Sequence, residues 1–139
     1  MVAKATLTGM AILRFEDLVI WQEARHLCSE VYTAFKQNKD YSFNDQIQRA
    51  VVSIMNNIAE GFDRNKISKD NKQFISFLNI ANGSCGEVKS MLYLAQDLHY
   101  ISENVAEELR NECLSITLKI CALVTTLQSN NGQNNRGSV

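Results

Sequence analysis

The chain contains no proline, and only six glycines are spread over its 139 residues. Three of those, Gly9, Gly132 and Gly137, lie near the ends. An all-β domain of this length needs many more turn residues, so the scarcity of both types argues for helices. Apolar runs are short as well. The opening segment MVAKATLTGMAIL is too brief for a secretory signal, and no stretch reaches the roughly 18 to 20 apolar residues that span a bilayer. The four cysteines form no Cys-x-x-Cys pair, and most of them occupy apolar helical positions where a free thiol behaves as a small hydrophobe. The expectation is a soluble protein of the reducing cytoplasm.

Charge is also scarce in net terms. Fourteen basic and fifteen acidic residues leave a formal charge of -1 and a pI near 6.1, which excludes a surface that is polycationic throughout while leaving room for a local basic patch. Hydrophobic residues make up 45% of the chain, enough for one packed core without a disulfide or metal staple.

The apolar residues that are present recur at steps of three and four. Leu18, Trp21, Ala24, Leu27, Val31 and Phe35 predict a first helix running from an Asp17 N-cap to about Asn38. A polar turn follows, with Ser42 or Asn44 as the next cap. Ile47, Val51, Ile54, Ile58 and Phe62 predict a second helix with Gly61 near its end and a hinge at Arg64 to Ser68. Phe74, Leu78, Ala81, Val88, Leu92 and Ala95 predict a third of about 30 residues, roughly 45 Å long and the longest of the set. Its register is unbroken across Gly83 and Gly86, so it is read as continuous, with the small residues admitting a neighbouring helix. Ser102 caps a fourth helix carrying Val105, Leu109, Ile116, Ile120, Leu123 and Leu127. A second apolar row there, Leu114, Leu118, Cys121 and Val124, exceeds what one bundle core uses and suggests a subunit interface. The expected organisation is a flexible extension over residues 1–14, an antiparallel four-helix bundle over 15–128, and a disordered polar tail over 129–139.

No constellation of residues reads as a catalytic centre. His26 and His99 lack zinc-like spacing with the cysteines, the carboxylates do not show a di-iron pattern, and Gly83-Ser84-Cys85-Gly86 lacks the lysine of a phosphate loop. No metal, cofactor or small-molecule substrate is expected, and no nucleophile has a base beside it in sequence. Trp21 and the six phenylalanines are spaced as core. Two polar features stand out. On helix 2, Gln46, Arg49, Ser53, Asn57 and Glu60 form one stripe, either a solvated face or a partly buried network with Ser84 and Glu87 on helix 3; a buried arginine demands a partner. Arg64, Lys66, Lys69 and Lys72 form the densest basic cluster, a solvated loop or a phosphate-contacting patch that an oligomer would repeat.

Three motifs in order carry a resemblance. They are Phe15-Glu16-Asp17-Leu18-x-x-Trp21-x-x-Ala24, then Gln46-Ile47-x-Arg49-Ala50-x-x-Ser53-Ile54-x-x-Asn57-Ile58-Ala59-Glu60-Gly61, and Phe77-Leu78-x-Ile80-Ala81-x-Gly83-Ser84-x-x-Glu87. Over Phe15 to Leu127 the chain resembles the bacterial 23S rRNA intervening-sequence proteins, which are often labelled ribosomal proteins. The resemblance implies an up-down-up-down four-helix bundle that assembles into a homopentameric ring and has no catalytic activity. It favours the network reading of Arg49, Ser53, Asn57, Glu60, Ser84 and Glu87. The family is in turn similar to the accessory variability proteins of diversity-generating retroelements, basic pentamers associated with nucleic acid and a reverse transcriptase; the acidic pI of this chain departs from them. The expected role is a non-enzymatic oligomeric scaffold or adaptor that contacts RNA or DNA through Arg64, Lys66, Lys69 and Lys72. The alternative is a nucleic-acid-binding accessory protein working with a reverse transcriptase.

Overall fold

Residues 12–136, described by a computed structural model, form a short 3-10 turn at Phe15–Asp17 and four helices. These are α1 (Val19–Ala34), α2 (Tyr41–Ser68), α3 (Lys72–Asp97) and α4 (Glu103–Arg136), with no strand among the described residues. Residues 1–11 of the expected extension and residues 137–139 of the expected tail lie outside the described part.

Each helix forms where a buried stripe at steps of three and four meets a polar face. In α1 the stripe is Ile20, Ala24, Leu27, Cys28 and Val31. Its start differs from the sequence expectation: Asp17 belongs to the 3-10 turn, and the helix begins after an extended Leu18 that supplies no side-chain cap. The turn lets Leu18 bury all but 4% of its surface and sets the Phe15 ring edge-on to Trp21 at 5.1 Å. Apolar burial here outweighs the roughly 1 kcal/mol of a cap. The helix also stops at Ala34 rather than near Asn38, because Phe35 turns inward, is fully buried and lies 5.3 Å from the Phe43 ring.

The cap of α2 is Asp40, whose carboxylate accepts from the Phe43 amide at 3.1 Å; neither Ser42 nor Asn44 does this. Asn44 is instead buried and joined to Asn38, accepting from its Nδ2 at 2.9 Å and donating to its carbonyl at 2.8 Å. The other oxygen of Asp40 accepts from the Tyr100 hydroxyl at 2.6 Å, which ties the α1–α2 connection to the α3–α4 connection. That bond, followed by the Phe43 amide, lowers the Asp40 pKa.

The hinge expected at Arg64 to Ser68 is helical, and the chain reverses at Lys69 to Asn71. Lys69 and Asn71 both take positive φ, 57° and 65°, a conformation disfavoured for a residue with a Cβ. Asn65 holds the reversal, accepting from the Asn71 amide at 3.0 Å and donating to the Asn71 side chain at 2.9 Å. Continuity of α3 across Gly83 and Gly86 is as expected. At 26 residues, however, α3 is shorter than α2 with 28 and α4 with 34. Ser102 does cap α4, accepting from the Val105 amide at 3.2 Å. Where tail composition predicts disorder from residue 129, the helix continues through Arg136.

Helix α2 packs on α1 and α3, and α4 packs on α3 and back onto α1. Leu27, Phe35, Ile47, Ile54, Ile58, Leu78, Leu92, Ile116 and Ile120 are fully buried between them. Burying each such side chain is worth about 1.5–3 kcal/mol. Helices α2 and α3 approach closely at Gly61, where an added Cβ would stand 2.6 Å from Phe77 Cβ and 3.2 Å from Phe74 Cδ1 of α3. Gly83 and Gly86, expected to admit a neighbouring helix, face open space within the chain. No helix among the described residues is long and apolar enough to cross a membrane.

Candidate functional site

The polar stripe of α2 divides in two. Its centre meets α3: the Ser53 and Ser84 hydroxyls share a 2.9 Å hydrogen bond. Asn57 Nδ2 donates to Ser53 at both its carbonyl, 2.7 Å, and its hydroxyl, 2.9 Å. All three side chains are half-buried, so each satisfies the others where water has partial access. The charged members are placed differently. Arg49 and Glu87 are exposed, and among the described residues neither makes a hydrogen bond or ion pair within the chain. Glu60 is exposed too and pairs with Arg64 at 2.9 Å, one helical turn on. The buried arginine that the network reading demands is therefore absent within the chain. Arg49 borders an open groove with Tyr32, Asp45, Gln48, Val52 and Asn56.

Helical geometry sets Arg49 and Glu87 at nearly the same height along the α2–α3 seam, with no ion pair between them. Arg49 lies four residues before Ser53 on α2, and Glu87 lies three after Ser84 on α3, while the α2–α3 contacts pair rising numbers on one helix with falling numbers on the other, as at Gly61 with Phe77 and Ser53 with Ser84. At 1.5 Å per residue both charges sit at nearly one level.

The four cations Arg64, Lys66, Lys69 and Lys72 gather at the α2–α3 reversal, all exposed. Arg64 is engaged by Glu60 and stands 5.2 Å from the Phe77 ring centre. Lys66 pairs with Asp63 at 3.3 Å and lies over Phe62. Asp70 accepts from the Lys72 amide. Three carboxylates thus attend four cations, and Lys69 is held at the tip by its left-handed backbone.

Thiol chemistry has little scope in the core. Burial pushes Cys28 and Cys85 up to about 11 and Cys113 to about 12, so all three stay protonated and unreactive at neutral pH. Cys121 is exposed.

One cluster went unread in the sequence. His26 Nε2 on α1 lies 2.7 Å from Glu30 Oε1 and 3.5 Å from Glu112 Oε1 on α4. Glu112 is pushed up to about 8 by burial first, then by its hydrogen bond to Glu30 and the charges of Glu30, Glu108 and Glu23. A visible signal was the spacing Glu23-x-x-His26-x-x-x-Glu30, which puts three donors on one face of α1; the fourth comes from a distant helix and no spacing rule reaches it.

Comparison with known proteins bears on the same segments. No curated protein sequence matches the chain significantly. Among solved structures, the fold is similar to a protein of unknown function from the S23 ribosomal protein family of Bacteroides thetaiotaomicron. The TM-score is 0.68 at 23% identity, over 76% of this chain and 98% of that one. A family model described as 23S rRNA-intervening sequence protein matches residues 16–122, a span holding the three sequence motifs apart from Phe15, the Ser53–Ser84 contact and the basic reversal. The chain belongs to the 23S rRNA-intervening sequence protein family.

Proposed function

We propose that the chain is a non-enzymatic scaffold or adaptor, an antiparallel up-down-up-down bundle that assembles with copies of itself and presents its helix-end cations to RNA. The observation that carries this reading is the pair Arg49 and Glu87: opposite charges, both exposed, nearly level along the α2–α3 seam, and without ion-pair or hydrogen-bond partners among the described residues. Charges so placed suit contacts between copies, where complementary pairing sets register and orientation. Exposed apolar side chains supply surface for the same purpose, among them Ile80 and Leu94 on α3, Leu98 just after it, and Leu114 and Leu118 on α4. The antiparallel arrangement is supported by contacts that run in opposite senses along each neighbouring pair, including Asn71 with Leu127 and Gln96 with Arg110 for α3 and α4. The homopentameric ring comes from the family resemblance.

Assembly gives the basic cluster its meaning. In one copy, three carboxylates nearly cancel Arg64, Lys66, Lys69 and Lys72; a ring repeats the remaining positive charge around one rim, and phosphate contacts add. The exposed cations make a structured RNA the first ligand to test. The alternative, an accessory protein working with a reverse transcriptase, calls for tight duplex binding, which a chain of pI near 6.1 supports less well.

The test has two parts. Light scattering of the full chain should give a mass several times that of one copy. Arg49→Glu should dissociate it, and Arg49→Glu with Glu87→Arg should restore assembly. Fluorescence anisotropy with structured RNA should show binding that weakens steeply between about 50 and 200 mM salt, and that is lost when the four cations are replaced by glutamine. A monomer at all concentrations, or RNA binding indifferent to those substitutions, would overturn the corresponding half of the reading.

A further inference from the structure

On the α1–α4 side of the bundle, Glu23, His26 and Glu30 share one face of α1, and α4 lays Glu112 across it. One donor atom from each of His26, Glu30 and Glu112 lies within 4.8 Å of the other two. Donors bound to a single zinc-type ion at about 2.0–2.1 Å in tetrahedral array stand roughly 3.4 Å apart. The 3.5 Å between His26 Nε2 and Glu112 Oε1 already meets that spacing. The 2.7 Å between His26 and Glu30 reaches it by a small rotation of either side chain, both of which are partly exposed.

A second observation is independent of this spacing. Glu112 Oε2 is buried with no hydrogen-bond partner, an arrangement that costs free energy wherever no ligand or proton offsets it. The surroundings add negative charge: Glu23 and Glu108 act on Glu112 as well, and Lys119, the nearby cation, is taken up by Glu23. Beside the cluster, Gln22, Glu23 and Ser115 line an open space of about 330 Å³, large enough for water to complete a coordination shell.

We propose that His26, Glu30 and Glu112 form a divalent-cation site that ties α1 to α4. The donor set selects the ion class. One imidazole and two carboxylates suit Zn²⁺ and its first-row neighbours better than Mg²⁺ or Ca²⁺, which prefer oxygen alone, and the absence of sulfur from the cluster disfavours soft ions. The ion bridges the first and last helices and takes the place of the proton through which Glu112 bonds Glu30. This site lies away from the α2–α3 seam and stands or falls independently of assembly.

The test uses the full chain carrying Cys121→Ser, which removes the exposed thiol as a competing ligand. Titration calorimetry with zinc chloride at neutral pH should give one ion per chain, and the melting midpoint should rise with zinc and saturate. His26→Ala and Glu112→Gln should each weaken binding by about tenfold or more and abolish the midpoint shift, while Glu107→Gln elsewhere on α4 changes neither. Glu112→Gln preserves shape and removes the ligating carboxyl, and circular dichroism of the zinc-free variant checks that it folds. Cobalt substitution should give a visible spectrum without sulfur charge transfer, lost in His26→Ala. No saturable binding, or unchanged affinity in both ligand variants, would overturn the site.

Discussion

Two of the seams that carry polar groups, α2–α3 and α1–α4, solve the same packing problem by opposite means. Between α2 and α3, a glycine brings the backbones together and the buried polar atoms are neutral and mutually satisfied: Ser53, Asn57 and Ser84 form a closed set. Between α1 and α4, the contact is made by charged side chains that are longer and less satisfied, with carboxylates outnumbering cations around His26 and one oxygen of Glu112 unpaired. Neutral pairs cost little to desolvate and tolerate no intrusion; charged clusters tolerate movement but cost more to bury. The first seam is specified by shape, the second by charge balance.

This contrast is open to direct attack. The largest effect should come from Gly61→Ala, which forces a methyl group against Phe77 and should cost about 1–3 kcal/mol by urea denaturation; wild-type stability would show that α2 and α3 can separate freely. Ser53→Ala leaves Asn57 and Ser84 short of a partner and should cost about 1 kcal/mol. Combining it with Ser84→Ala should cost less than the sum of the two, since they share one bond. In contrast to Gly61, Gly83→Ala and Gly86→Ala meet open space in the chain and should each raise helix stability by about 0.5–1 kcal/mol. If either change instead lowers the assembled mass, the glycine lies under a neighbouring copy.

The smallest effect concerns the Asp40–Tyr100 tie, which joins the ends of both seams and therefore serves as their control. The folded state holds the Asp40 carboxyl below its ordinary value, so it binds fewer protons than the unfolded chain. Its contribution is present above the unfolded carboxylate range, near 3.9, and is lost as pH falls through the folded value. Asp40→Asn should flatten the acid limb of a melting-midpoint profile slightly and leave neutral-pH helicity intact. An unchanged acid limb would mean that the Tyr100 bond persists in the unfolded chain or carries no weight.

Several features were legible in the residues alone. Buried stripes in all four helices follow three-and-four spacing, and the Ser102 cap and the unbroken α3 come from local chemistry that a short window contains. Boundaries were less legible, because Phe15, Leu18 and Phe35 choose burial over ideal caps, and that choice depends on Trp21 and Phe43 being within reach. The reversal was expected a few residues early, at Arg64 to Ser68, because no glycine marks its true place at Lys69 to Asn71; Asn65 and Asn71 hold it with side-chain hydrogen bonds instead.

By itself the sequence determined an all-helical chain, most of its core residues and its family membership, since periodicity and motif order are properties of residues in line. Tertiary structure alone decided which polar residues meet. It joined Ser53 to Ser84, left Arg49 and Glu87 outward, and brought Glu112 to His26 across the bundle, because contacts between helices depend on their relative rotation and level, quantities that no spacing within one helix contains.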